Sequence, residues 1–226
     1  MTLVEKYRPA RLGDIIGQET AVRKARALLR CGLGGRILLL VGPSGTGKTT
    51  MALAIARELG LLREGETLES VQAGGNFDLR FYRANALDQR SYDDMVVWLG
   101  LNIWNPEALC KIAVIDEAHT ITAGARSGLL ALEAMPAHAI VILTTSEDSE
   151  QFAPATPLGS RCKRITFDLP SDEDIAGRLA EIAFAETGNG ADIPYRQIVR
   201  QGDGNVRACI SELDDYLAEK GASEAA

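Results

Sequence analysis

The sequence predicts an α/β fold: a five-stranded parallel sheet flanked by helices, with a small three-helix unit after it. Three observations predict it. The apolar runs at 37–41, 112–115 and 139–143 are continuous rather than alternating, as in strands buried on both faces. The first leads straight into a glycine-rich turn and then a helical pattern, and the second ends in two adjacent carboxylates. Beyond Leu169-Pro170 only helical spacing remains, which sets two expected domains, 1–169 and 170–226.

In chain order, the Pro- and Gly-containing residues 4–18 are expected to form an extended lead-in. Ala21, Ala25, Leu28 and Leu29 then have helical spacing, and Gly32 stops the helix. A strand at 37–41, the glycine-rich turn and a helix from Thr50 to Leu59 come next, and 60–80 reads as irregular. A short strand is expected at 81–85, and a helix at 91–101 with Met95, Val96 and Leu99 on one side. The carboxylate-ended strand begins at Ile112, a helix covers 129–134, and buried strands cover 139–146 and 164–167. Ser171-Asp172-Glu173-Asp174 is an N-cap signature before a helix at 175–186, and helices at 195–200 and 205–220 flank Gly202-Asp203-Gly204.

At 226 residues the chain is long enough for one α/β core and a small appended domain, and its 24% charged and 46% hydrophobic residues are ordinary for a globular protein. Cys31, Cys110, Cys162 and Cys209 form no C-x-x-C pair, so neither a zinc ribbon nor a disulfide framework is indicated, and a reducing cytosol fits. His119 and His138 are the only histidines, too few for a transition-metal site, which leaves Mg²⁺ as the expected metal. No apolar run approaches the roughly 18 residues of a membrane span and no signal-peptide core opens the chain, so no membrane association is expected. A net charge of −7 argues against nonspecific nucleic-acid binding over the whole surface. Lys6, Arg8, Arg11, Arg23, Lys24, Arg26, Arg30 and Arg36 still make a locally basic N-terminal segment, either a solvated helix face or a contact for DNA or a partner.

The turn itself, Gly42-Pro43-Ser44-Gly45-Thr46-Gly47-Lys48-Thr49, has the G-x-x-x-x-G-K-T spacing of a P-loop between a strand and a helix. Its glycines let backbone N–H groups turn inward around phosphate oxygens. Lys48 supplies a point charge to the β and γ phosphates, and the Thr49 hydroxyl can ligate Mg²⁺. A nucleoside triphosphate is the expected ligand. Asp116-Glu117 supplies the complementary chemistry: Asp116 can hold Mg²⁺ and Glu117 can take a proton from an attacking water.

Lys6-Tyr7-Arg8-Pro9, the L-x-D-I-I-G-Q of residues 12–18 and this P-loop together resemble the AAA+ ATPases, specifically the clamp-loader branch: phage loaders, replication factor C small subunits and bacterial gamma subunits. The resemblance implies that Val4, Tyr7, Arg8, Ile16 and Gly17 surround the base of ATP, with Thr50 completing the P-loop contacts. Asn85-Ala86-Leu87-Asp88 is similar to a family turn, and the register of residues 132–147 places the sensor 1 hydroxyl at Ser146, with Thr145 a close second. Ser160-Arg161-Cys162 resembles the S-R-C motif, whose arginine enters a neighbouring subunit's ATP site in trans. The G-D-G-N-V-R segment puts Arg207 at the sensor 2 position of a three-helix lid.

The same resemblance implies an ATPase using ATP and Mg²⁺ at subunit interfaces during DNA replication, in the cytoplasm of a bacterial or phage-infected cell. Its implied partners are other AAA+ subunits, a sliding clamp and primer-template DNA. The chain departs from the family where it ends without the usual helical collar and where Ala125-Arg126-Ser127-Gly128 replaces a polar relay to DNA. A nucleotide-binding structural subunit with negligible hydrolysis and a branch-migration helicase are the alternatives.

Overall fold

The computed structural model describes residues 1–63, 66–74, 76–102, 108–121, 135–146, 150–190 and 193–224. Its centre is a five-stranded sheet of β1 (Arg36–Val41), β2 (Leu79–Arg83), β3 (Lys111–Asp116), β4 (Ala139–Thr145) and β5 (Cys162–Thr166) in the order β2-β3-β4-β1-β5, every neighbouring pair parallel. The period-2 alternation of side chains divides each continuous apolar run between two cores. Leu38, Leu40, Ile112, Val114, Ile140 and Ile142 face one side, and Ile37, Leu39, Ala113, Ile115, Val141 and Leu143 the other.

The first core is closed by α2 (Glu19–Arg30) and α3 (Lys48–Glu58). Met51 to Ala56 of α3 are all buried, and Ala52, Ala54 and Ala56 let that helix lie close to its neighbours. The second core is closed by α5 (Gln89–Gly100), through Tyr92, Met95, Trp98 and Leu99. Asp88 caps its N-terminus by accepting from Ser91 N at 2.8 Å. At the other end the buried Lys111 Nζ donates to Trp98 O at 3.0 Å and His138 Nε2 lies 3.0 Å from Leu99 O, side chains satisfying last-turn carbonyls.

Several boundaries differ from the sequence expectation. The lead-in is not wholly extended: α1 (Leu3–Lys6) is one helical turn, and Leu12–Asp14 is a 3₁₀ turn. Thr2 N donates to Glu5 Oε2, and buried Leu3 anchors α1, contacts that outweigh the nearby Pro and Gly. Within the stretch expected to be irregular, α4 (Leu68–Gln72) forms on a reciprocal cap in which Ser70 N donates to Thr67 Oγ1 at 3.3 Å and Thr67 N to Ser70 Oγ at 3.1 Å. The edge strands β2 and β5 each begin two residues before their expected starts, and 84–86 is already a 3₁₀ turn. The expected helix at 129–134 and the Ala125–Gly128 departure lie outside the described residues.

After a short helix α6 (Pro157–Arg161), which opens on a Thr156 cap, the chain ends in α7 (Asp172–Thr187), α8 (Tyr195–Gly202) and α9 (Val206–Glu224). These three share their own core of Ile175, Leu179, Ile182, Ile198, Val199 and Leu213. Leu3 of α1 is in that core too, and Leu3 N donates to Asp214 Oδ2 at 3.0 Å, so the first helix packs on the last ones. No helix among the described residues is long and apolar enough to cross a membrane.

Polar contacts reinforce the α1 attachment. Tyr7 OH donates to Glu186 Oε1 at 2.5 Å, Lys6 Nζ lies 2.6 Å from the same oxygen, and Arg178 Nη2 donates to Tyr7 O at 3.1 Å. The Lys6 hydrogen bond, and then the Tyr7 one, hold the Glu186 carboxyl below the usual carboxylate range. A carboxyl depressed by folding stabilises the fold above its unfolded pKa and loses that contribution as pH falls through its folded pKa. Hydrogen exchange at the α1 amides should therefore be faster in Glu186→Gln than in wild type near neutrality, and the gap should close as pH falls through the lowered Glu186 pKa. A pH-independent gap would assign the protection to packing alone.

Candidate active site

The parallel register sets the site by bringing three strand ends together, with Val41 opposite Thr145 and Ile115 opposite Leu143. Gly42 leaves β1, Asp116 and Glu117 end β3, and Thr144, Thr145 and Ser146 end β4. Ligands of open α/β sheets bind at such carboxyl ends.

The P-loop wraps around its own lysine. Lys48 starts α3, is 6% exposed, and its Nζ donates to Gly42 O and Pro43 O, both at 2.7 Å. Burial pulls the Lys48 pKa down, while the Glu117 and Asp116 carboxylates oppose that shift. Thr46 Oγ1 donates to Pro43 O at 2.8 Å, and Ser44 is exposed at the tip of the loop. Gly45 has φ +77, and a Cβ built there would lie 1.8 Å from Asn205 Oδ1. Backbone conformation demands glycine at this position, and a side chain there would also have to displace the Asn205 amide. Asn205 also caps α9, its Oδ1 accepting from Ala208 N at 3.1 Å, so the terminal helices touch the phosphate loop directly.

Asp116 Oδ1 accepts from Thr49 Oγ1 at 3.1 Å and from Thr144 Oγ1 at 2.5 Å. Hydroxyl and carboxylate side by side are hard oxygen donors that suit Mg²⁺, an ion that usually takes one or two carboxylates and fills its shell with water and substrate phosphate. Among the described residues there is no group of three or more His, Cys, Asp or Glu arranged for a metal.

Glu117 adopts φ 54 and ψ 48, a left-handed conformation costing roughly 1–2 kcal/mol for a non-glycine residue. Its backbone N donates to Thr144 Oγ1 at 3.3 Å, and its Oε2 accepts from Ser146 Oγ at 3.0 Å. Thr145 is fully buried and its Oγ1 lies 3.3 Å from His119 Nδ1. Of the two sensor 1 candidates, Ser146 is the one whose hydroxyl reaches Glu117.

Beside the P-loop, a mainly apolar cleft is lined by Val4, Tyr7, Arg8, Ile16 and Thr50, all expected from sequence, and by Pro9, Ile15, Val206 and Ile210, which were not. Gly17 is not part of that lining; it passes against Pro170, where a Cβ would lie 2.6 Å from the proline ring. Val206 and Ile210 stand i,i+4 on α9, a signal readable in the sequence, but only the tertiary fold shows which cleft they face. A second, more polar cleft joins Thr49, Asp116, Glu117 and Ser146 to Arg8 and Arg207, with Arg83 and Asn85 on its wall. Burial first, and then Arg207, lower the pKa of Arg8, so two guanidinium groups face each other across the opening, where Glu5 and Glu69 also line the wall. Arg161 stands apart: it is exposed at the end of α6, lines neither cleft, and donates from Nη1 to Pro157 O at 3.0 Å.

Comparison with known proteins agrees with this geometry. Over 219 residues the chain is 30% identical to replication factor C subunit 2 of Arabidopsis thaliana, covering 93% of this chain and 60% of that protein. It is 30% identical over 233 residues to DNA polymerase III subunit tau of Bacillus subtilis, covering 97% of this chain and 40% of the relative. The chain thus spans 60% or less of these relatives' length. Among solved structures it is similar in fold to the RuvB Holliday junction branch migration motor of Thermotoga maritima, with a TM-score of 0.66 and 21% identity over 91% of this chain and 63% of that one. Residues 38–169, more than half of the chain, match a family model, and the chain therefore belongs to the AAA family, the ATPases associated with various cellular activities.

Proposed function

We propose that the chain is the ATP-hydrolysing AAA+ part of a clamp-loader-like assembly that acts in DNA replication. The observation that carries this reading is the meeting of Thr49, Asp116, Glu117 and Ser146 at adjoining strand ends while Arg161 is exposed and lines neither cleft. The replication proteins to which 93% or more of the chain is similar supply the process. In this reading 1–169 is the nucleotide-binding domain and 170–226 the lid, with α1 packed on the lid so that the base lies between the two.

The chemistry is positional and electrostatic. Lys48 and the P-loop amides hold the β and γ phosphates, and Val4, Tyr7, Ile16, Val206 and Ile210 sandwich the base. Mg²⁺, when bound by Thr49 and Asp116, spreads the phosphate charge. Glu117 takes a proton from the attacking water, which Ser146 orients. Arg207 reaches the nucleotide from the lid, and Arg161 completes the site of the next subunit. The protein would work in the cytoplasm, with other AAA+ subunits, a sliding clamp and primer-template DNA as partners.

Phosphate release measured against protein concentration, with and without primed DNA and a sliding clamp, tests the reading. Turnover per chain should rise with concentration and rise again when DNA and clamp are added together. Nucleotide binding without phosphate release under all conditions would make the chain a structural subunit. Stimulation by branched but not primed DNA would favour a branch-migration motor.

A further inference from the structure

We infer that His119 is a positioning residue for the Glu117 carboxylate, acting through its Nδ1; the inference rests on the reading of Glu117 as the group that activates water. The left-handed turn at Glu117 and the 3₁₀ turn Ala118–Thr120 fold the imidazole back onto the strand ends it has just left. Nδ1 lies 3.3 Å from Glu117 Oε2 and 3.3 Å from Thr145 Oγ1. Thr145 is fully buried at the end of β4, so it fixes the ring against the sheet, and the ring in turn reaches the carboxylate.

Ser146 Oγ donates to Glu117 Oε2 at 3.0 Å, and in the tautomer that carries its proton on Nδ1 the single N–H of His119 is shared between that oxygen and Thr145 Oγ1, each 3.3 Å away. Glu117 Oε1 has no partner among the described residues, and the residue borders the polar cleft. The Glu117 side chain is 47% exposed and the His119 side chain 20%. Without a hold on Oε2, a carboxylate that exposed would sample several rotamers, and a displacement of about 1 Å from the productive geometry can cost on the order of 10² in rate. With Oε2 pinned, Oε1 is the lone-pair donor presented to water. Nothing here requires His119 to touch the nucleotide or to carry a proton in the reaction.

The side-chain nitrogen of asparagine falls near the place of Nδ1, and that of glutamine near the place of Nε2. In the full chain, His119→Gln should lower kcat about 10-fold. KM, the dissociation constant of a fluorescent ATP analogue, and the thermal unfolding midpoint should stay at wild-type values. His119→Asn should recover turnover to within about 3-fold of wild type, because it restores the donor at the right position. Equal losses in both variants, or wild-type turnover in both, would overturn the inference while leaving the ATPase reading in place. Glu117→Gln separates the two ideas: if it turns over normally, the base assignment and the inference built on it fall together.

Discussion

Glu117→Gln is expected to bind nucleotide as wild type does and to lose about 10²–10⁴ in turnover, the contribution of a positioned general base. The substitution keeps the shape, and the amide oxygen can still accept from Ser146 Oγ, which now donates at 3.0 Å. It removes the basic lone pair. No hydrogen bond in the phosphate-holding apparatus involves Glu117, since Lys48 is seated by Gly42 O and Pro43 O and Thr49 by Asp116. Binding and turnover therefore separate in this variant. Asp116→Asn should behave differently, because Asp116 Oδ1 is where Thr49 and Thr144 converge and where Mg²⁺ would sit; a loss of Mg²⁺-dependent nucleotide affinity should accompany its loss of turnover. Equilibrium binding of a fluorescent ATP analogue and single-turnover phosphate release measure the two quantities. Normal turnover in Glu117→Gln would move the base elsewhere. Weakened binding in it would mean that the carboxylate supports the loop.

The parts of this site that stood out in the sequence are those where one residue type and one spacing carry the chemistry. The central strands were legible because a strand buried on both faces cannot carry polar residues, and β1, β3 and β4 carry almost none before their ends. β2 and β5 lie at the edges, where Arg80, Lys163 and Arg164 interrupt the apolar pattern, and their limits shifted accordingly. α1 and α4 are too short for periodicity to register, and they exist through capping side chains and the anchoring of Leu3. Thr144 was missed although strand alternation links it to Ser146 two residues on; a hydroxyl next to a strand end has many bland uses, and only the 2.5 Å bond to Asp116 gives it one. Asn205 reads locally as a helix cap, and its second contact, against Gly45, comes entirely from the way the terminal helices close on the P-loop.

Arg161→Ala should lower the turnover of the assembled protein by about 10³–10⁵ while leaving nucleotide binding by each chain unchanged. The geometry supports action in trans. Arg161 sits on α6, a five-residue helix capped by Thr156, whose Oγ1 accepts from Gly159 N at 3.0 Å, and β5 continues from it at once. Arg161 is exposed between the two elements, and its bond to Pro157 O is one that a phosphate can displace. Mixing gives the decisive measurement. Arg161→Ala chains keep an intact P-loop but have no guanidinium to lend, and Lys48→Ala chains have a disabled P-loop but an intact Arg161. Neither protein alone should turn over ATP. The mixture should, because in every pair where a Lys48→Ala chain lends its arginine to an Arg161→Ala chain one complete site exists. An arginine acting within its own chain predicts no recovery at any ratio. Arg161→Lys should stay close to Arg161→Ala, since a lysine cannot make the bidentate contact of a guanidinium. Sizing each variant by light scattering keeps a failure to assemble from being mistaken for a failure of chemistry. Recovery on mixing would establish that half of every site belongs to the neighbour, so that assembly, rather than nucleotide affinity, is what switches this ATPase on.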